Sequence, residues 1–247
     1  MDILILRLDA PLMSFGAPIV DRHGKIQPYP ALSMMAGMLG NALGYDHSNF
    51  QKLQQLQERL QYAVRQDRAG QKIKDYQTVD LSQDFMRDDN AWTTQGWVDK
   101  RKGGPASKGT HIRLRDYWAD TIHTVALTLQ PVNEAPTIDD IRDALQYPER
   151  PLFIGRKTCL PAVPLLIGRM EAENLVEALQ KVSLADNADK RNTYPAWWPV
   201  DKNQNHPRAN IEKPVTDRRD WANQIHVGER WIAKGEILIE TDEATHE

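Results

Sequence analysis

Hydrophobic and polar positions follow two rhythms along this chain, separated by one long stretch that keeps neither. Ile3 to Leu8 reads ILILRL, a short apolar run that predicts a buried strand. Asp9 to Pro30 is interrupted by Pro11, Gly16, Pro18, Gly24, Pro28 and Pro30, and such breakers predict a loop. Loops beyond about 12–15 residues without structure of their own are uncommon and often functional. The rhythm then turns helical, with Met34, Met35, Met38, Leu39, Ala42 and Leu43 on one face. Ser33 is the expected N-cap and Gly44 the expected stop. Gly37 and Gly40 fall near a second face. Each costs about 1 kcal/mol in a helix relative to Ala, so a close neighbour is expected there, with packing favoured over a phosphate. Phe50, Leu53, Leu56 and Leu60 predict a second helix, and Tyr62 and Val64 a following strand.

From about residue 66 to residue 117 the pattern dissolves into polar residues and recurrent glycines, an insertion expected to form an extended arm. Ile122 to Leu129 alternates as a strand does. Thr137 is a candidate N-cap for a helix carrying Ile138, Ile141 and Leu145, which Pro148 ends. Leu165 to Ile167 predicts a short strand, and Leu175, Val176, Leu179 and Val182 a last helix. The tail from Ser183 is irregular, with strand candidates at His226 to Ile232 and Ile237 to Glu240. Without the arm the order is βαββαβ, that of a ferredoxin-like fold, the topology of RNA-recognition domains. The expected class is therefore α+β: a ferredoxin-like (RRM-like) RNA-binding domain over residues 1–155, with the insertion at about 66–117. A mainly β region is expected over 156–247.

Charge changes this picture only locally. The formal net charge is −3, so general attraction to a polyanion is weak and a nucleic-acid ligand needs a basic patch. Cys159 is the only cysteine, which excludes an intrachain disulfide and a Cys-rich zinc site. The opening MDILILRLDAPL lacks the basic start and long apolar stretch of a secretory signal. No run approaches the ~20 apolar residues of a membrane span. A cytoplasmic location with no membrane contact is expected.

Two stretches carry candidate chemistry. Residues 100–115, KRKGGPASKGTHIRLR, hold Lys100, Arg101, Lys102, Lys108, Arg113 and Arg115 with no acid among them. Such cations suit phosphates, although a basic loop is more often plain solvated surface. Tyr76 and Tyr117 bracket the arm, Trp92 and Trp97 lie within it, and aromatics can stack on unpaired bases. The second stretch follows Arg150. Gly155 permits a tight turn, and Arg156 and Lys157 come directly after it, so backbone amides and two cations could hold one phosphate. No HExxH or HxH spacing occurs among the seven histidines, so neither a metal nor a cofactor is expected. Metal-independent RNA cleavage would draw on His111, Lys108, Lys74 and Tyr76. Trp197 and Trp198 are expected to fill the core rather than face a partner.

Three ordered stretches resemble the CasD family of CRISPR Cascade subunits, within the RAMP superfamily. The first runs from Leu6 to Gly16, LRLDAPLMSFG, similar to that family's opening strand and Gly-Pro-x-x-x-Trp-Gly loop, with Ala10 for the glycine and Phe15 for the tryptophan. The second is Asp75-Tyr-Gln-Thr-Val with Arg115-Asp-Tyr, which look like the base and exit of the family's thumb. The third, Pro151 to Cys159, is similar to Pro-x-x-x-Gly-Arg-[Arg/Lys]-Ser-Cys. The resemblance implies a non-catalytic type I-E subunit that caps one end of the complex and grips the 5′ handle of the crRNA. The thumb would separate the handle from the rest of the guide. Implied partners are a CasC-like backbone subunit, the large subunit of Cascade and, indirectly, target DNA. Residues implied to touch RNA are Ser14, Phe15 and Gly16 in the first loop, Arg22 and Lys25, Tyr76, Lys108, Arg113 and Arg115 in the thumb, and Arg156 and Lys157. Two alternatives stay open: an endoribonuclease acting on precursor crRNA, and an assembly subunit with little RNA contact.

Overall fold

The computed structural model describes residues 1–17, 22–80, 90–92, 98–100, 110–200 and 211–239. The chain begins with β1 (Asp2–Asp9), β2 (Leu12–Met13) and β3 (His23–Gly24). Then come α1 (Leu32–Ala42), a 3-10 turn (His47–Asn49), α2 (Phe50–Arg59), β4 (Leu60–Arg68) and β5 (Gln71–Asp80). β6 (Asn90–Trp92) and β7 (Val98–Lys100) are short, and β8 (Thr110–Ala119) and β9 (Ile122–Leu129) follow. The rest is α3 (Ile138–Gln146), β10 (Leu166–Glu171), α4 (Leu175–Lys181), β11 (Tyr194–Val200), β12 (Ile211–Val215), β13 (Arg219–Asp220), β14 (Ile225–His226) and β15 (Arg230–Ile237).

Seven strands make one antiparallel sheet in the order β10-β1-β9-β4-β11-β15-β12. It is a mixed α+β fold with more strand than helix. Alternating side chains divide the core between the two faces. Leu4, Leu6, Leu8, Val125 and Leu127 pack with Met35 and Leu39 of α1, Leu53 and Leu56 of α2, and Ile141 of α3. Ile3, Ile5, Ala63 and Ala126 pack with Ala178 and Leu179 of α4 on the other face. β9 lies between β1 and β4 and is buried on both sides. Trp197 and Trp198 are both buried, one in each cluster, as expected of core residues. On the α4 face, fully buried Asp67 accepts hydrogen bonds from Arg65 Nε (2.6 Å), Arg7 Nη1 (2.9 Å) and Thr124 Oγ1 (2.8 Å). This knot ties the three central strands together.

The helices fall where the spacing predicts them, but α1 begins differently. Its N-cap is Ala31, not Ser33, and Ala31 makes no side-chain cap. The Asp217 carboxylate accepts from Leu32 N (3.0 Å) and the Asp217 carbonyl from Ser33 N (3.0 Å). A residue far along the chain therefore satisfies two of the donors that a helix start leaves open. Gly40 lies against α2, where an added Cβ would overlap Leu53, so packing accounts for that glycine. Thr137 caps α3 in a reciprocal box with Asp140.

The tail differs more. A single strand, β15, spans Arg230–Ile237 where two strand candidates were expected, and Glu240 lies outside the described residues. β11 was unread because Pro195 and Pro199 disguise it. β10, beyond the expected boundary at 155, pairs with β1, and β11 pairs with β4, so strands from both expected regions share one sheet.

The expected arm rises from the sheet as a two-stranded stalk. β4 passes through a turn at Gly70 into β5, and β8 returns into β9. β5 and β8 pair antiparallel over ten positions, from Gln71↔Ala119 to Asp80↔Thr110. At the stalk's foot β8 also pairs with β2 and, in parallel, with β3. The loop after β1 is thus fastened to the stalk.

Candidate nucleic-acid interface

The site is built where the loop after β1, the foot of the stalk and the turn at residues 150–159 meet. The turn depends on Gly155, whose φ is +97° and whose missing Cβ would overlap the Ser14 carbonyl. Only glycine takes that conformation and that approach together. Ser14 N donates to Ile154 O (3.1 Å), locking turn to loop. The loop folds back on itself, with Gln27 N donating to Phe15 O (2.8 Å) and Ala17 N to Lys25 O (3.2 Å).

Arg156 then reaches across the junction. Its Nη1 donates to Asp116 O (2.8 Å) and its Nη2 to Gly24 O (3.2 Å), and the guanidinium lies 4.6 Å from the centre of the Tyr117 ring. It pins the stalk's foot to β3. Beside this junction runs a groove of about 780 Å³. Ser14, Gly16, Lys25, Arg115, Arg156 and Lys157 line it, together with Arg150 and Arg219. The lining carboxylates are Asp46 and Asp217, and Asp217 is engaged by Arg230 at 2.7 Å. A chain of net charge −3 thus concentrates cations in one concavity.

The sequence-derived residues divide into four groups. Ser14, Gly16, Lys25, Arg115, Arg156 and Lys157, from three separated stretches, come together at the groove. Phe15 does not: its ring is fully buried, edge-on to His123 with centroids 5.0 Å apart, so it anchors the loop and presents no face to a base. Tyr76 is 60% exposed but stands opposite Leu114, whereas Arg115 stands opposite Asp75. Neighbours on a strand point to opposite faces, so Tyr76 and Arg115 occupy different sides of the stalk. Arg113 shares the Arg115 side and is exposed, as is Arg22, whose carbonyl accepts from Leu114 N (3.1 Å). Lys108 lies outside the described residues, as do Arg101, Lys102 and Trp97.

The Tyr76 side of the stalk has its own polar cluster. The buried Asp116 carboxylate meets His23 Nε2 (2.9 Å) and Lys72 Nζ (2.8 Å). Burial works to raise the Asp116 carboxyl, and the Lys72 and His23 hydrogen bonds overcome it and hold it below the usual range. His111 faces Val79, on the side away from Tyr76, so those two groups do not share a site.

Sequence reasoning passed over Arg150, Arg219, Trp221 and His226, which all line the groove. Arg150 directly precedes the Pro151 to Cys159 motif. It donates to the carbonyls of Gly44 (2.7 Å) and Tyr45 (2.8 Å) just past the end of α1. The other three lie in the tail, where no spacing advertised them.

An antiparallel sheet with a protruding ribbon thus carries a cationic groove at the ribbon's foot. The sequence matches the family described as CRISPR-associated protein (Cas_Cas5) over residues 3–233, and the chain belongs to that family. The match runs well past Cys159, where the last of the three motifs ends. The CRISPR system Cascade subunit CasD of Escherichia coli (strain K12) is 29% identical over 185 residues, 71% of this chain and 75% of the relative. Two solved structures share the fold. A chain of a CRISPR RNA-guided surveillance complex superposes with a TM-score of 0.68 at 23% identity, covering 96% of this chain and 90% of the other. A second, a crystal structure of a Cas protein, gives 0.63 at 20% identity, covering 96% of each. No helix among the described residues is long and apolar enough to cross a membrane.

Proposed function

We propose that this chain is a non-catalytic subunit of a type I-E Cascade complex that grips the 5′ handle of the crRNA and caps the backbone. The observation that carries the proposal is the convergence of Lys25, Arg115 and Lys157 on one groove at the foot of the stalk, a foot that Arg156 pins in place. Counter-charges gathered in a concavity hold a phosphate chain in place, while the stalk stands beside it as the thumb. β1, β4, β9 and β10, in the order β10-β1-β9-β4, supply the ferredoxin-like sheet of the RNA-binding part, residues 1–155 extended through β10. The mainly β remainder of residues 156–247 widens that sheet and walls the groove. The complex works in the cytoplasm beside a CasC-like backbone subunit and the large subunit, and reaches target DNA only through the guide.

The test is co-expression with the partner subunits and guide RNA. An Arg115→Ala, Lys157→Ala double variant yields complex depleted of this subunit and of intact handle. Assembly at the wild-type level, with the handle still protected from nuclease, counts against the site. Assembly unchanged in the absence of guide RNA favours a purely structural subunit instead. The endoribonuclease alternative is weakened by the opposite facing of Tyr76 and His111. Specific cleavage of a repeat RNA in EDTA, abolished by His111→Ala, would revive it.

A further inference from the structure

Part of the groove's lining differs in chemistry from Lys25, Arg115 and Lys157. It comprises Met34, Gly37 and Met38 of α1 with Trp221 and Arg219 of the tail. Trp221 is 6% exposed and packs so closely over α1 that a Cβ on Gly37 would sit 3.3 Å from its ring. The Arg219 guanidinium rests over that indole, 5.3 Å from the ring centre.

Three features make Arg219 an unusual surface arginine. Among the described residues no carboxylate lies within ion-pair distance of it, and its Nε has no hydrogen-bond partner. One Nη donates to Gln224 Oε1 (2.5 Å), which holds the guanidinium plane in place without neutralising it. Burial pulls its pKa down. A half-buried cation with no counter-charge is costly unless a ligand completes it. A guanidinium backed by an indole offers its outer face to a second flat π-system.

We propose that Arg219, backed by Trp221, is a stacking platform for one unpaired base of the single-stranded RNA in the groove, so that the C-terminal part of the chain supplies a nucleotide subsite. Met34 and Met38 in the same lining favour a base over a phosphate, because methionine side chains offer contact to a π-face and none to an oxyanion. The inference rests on the reading that the groove holds RNA.

The experiment uses the full chain and a fluorescein-labelled single-stranded RNA, with a matched series in which each position in turn is abasic. Binding is followed by anisotropy. For the wild type, removing the base at one position weakens binding by roughly five- to 150-fold, the range for one stacked base. That position-specific loss disappears in Arg219→Ala and also in Arg219→Lys, which keeps the charge but has no plane. If the loss persists in both variants, the subsite is wrong, whereas the groove reading survives provided Lys25→Ala and Lys157→Ala weaken binding. If Arg219→Lys behaves as wild type and Arg219→Ala only flattens the salt dependence, Arg219 is a phosphate contact and the platform is overturned. An RNA that does not bind the wild type at all overturns both readings.

Discussion

Arg156 illustrates how a residue's role depends on what its donors already hold. Its neighbour Lys157 is exposed, and the two read from sequence as a pair of phosphate ligands. Two Arg156 nitrogens are instead spent on the Asp116 and Gly24 carbonyls, with the plane lying on Tyr117. Arg156 is a positioning residue that fixes the stalk's foot, whereas Lys157 is exposed on the groove's lining. Arg156→Lys keeps the charge but cannot span both carbonyls. Urea unfolding is expected to show a loss of about 1–3 kcal/mol for Arg156→Lys, against within about 0.5 kcal/mol for Lys157→Ala. Equal stabilities for the two variants would return Arg156 to the role of a simple ligand.

At the scale of elements, the stalk was the hardest part to read and the most consequential. β5 is exposed along nearly its whole length, so neither of its faces carries an apolar rhythm. Period-two alternation reports a buried face, and a ribbon wet on both sides has none. The helices were legible for the converse reason, since each buries one stripe. The start of α1 was not, because its cap is Asp217, 185 residues away from Leu32. The register of the ribbon has a functional consequence. Tyr76 and Arg115 are both expected to touch RNA, yet they face opposite sides of it. In a double-mutant cycle on RNA affinity, Tyr76→Ala and Arg115→Ala are expected to add within about 0.5 kcal/mol. A coupling above about 1 kcal/mol would mean that one nucleotide bridges both.

At the scale of the whole molecule, the lining from Ser14 to Lys25, Arg115 and the 150–159 turn was legible because three stretches carried recognisable turn and charge patterns. The lining from the tail was not, because Arg219, Trp221 and His226 acquire meaning only when the tail packs beside α1. The core also has a pH dependence that no sequence pattern announces. His123 is fully buried, burial pulls its pKa from 6.5 to about 4, and its Nε2 lies 3.0 Å from the Pro28 carbonyl. The folded chain therefore holds it neutral where the unfolded chain protonates it. Stability from this group is full above pH 6.5 and declines as pH falls toward 4. The slope is about 1.4 kcal/mol per pH unit, with no further loss below that range. His123→Gln should flatten this part of a denaturation-versus-pH curve, and an unchanged slope would assign it to other groups. The central claim, that the groove at the stalk's foot holds the phosphates of single-stranded RNA, is tested most directly by the salt dependence of binding. Each phosphate contact on a single strand contributes about 0.7 to the slope of log affinity against log salt. The triple variant Lys25→Ala, Arg115→Ala, Lys157→Ala should therefore bind with a slope shallower than wild type by about 2; an unchanged slope would contradict the account.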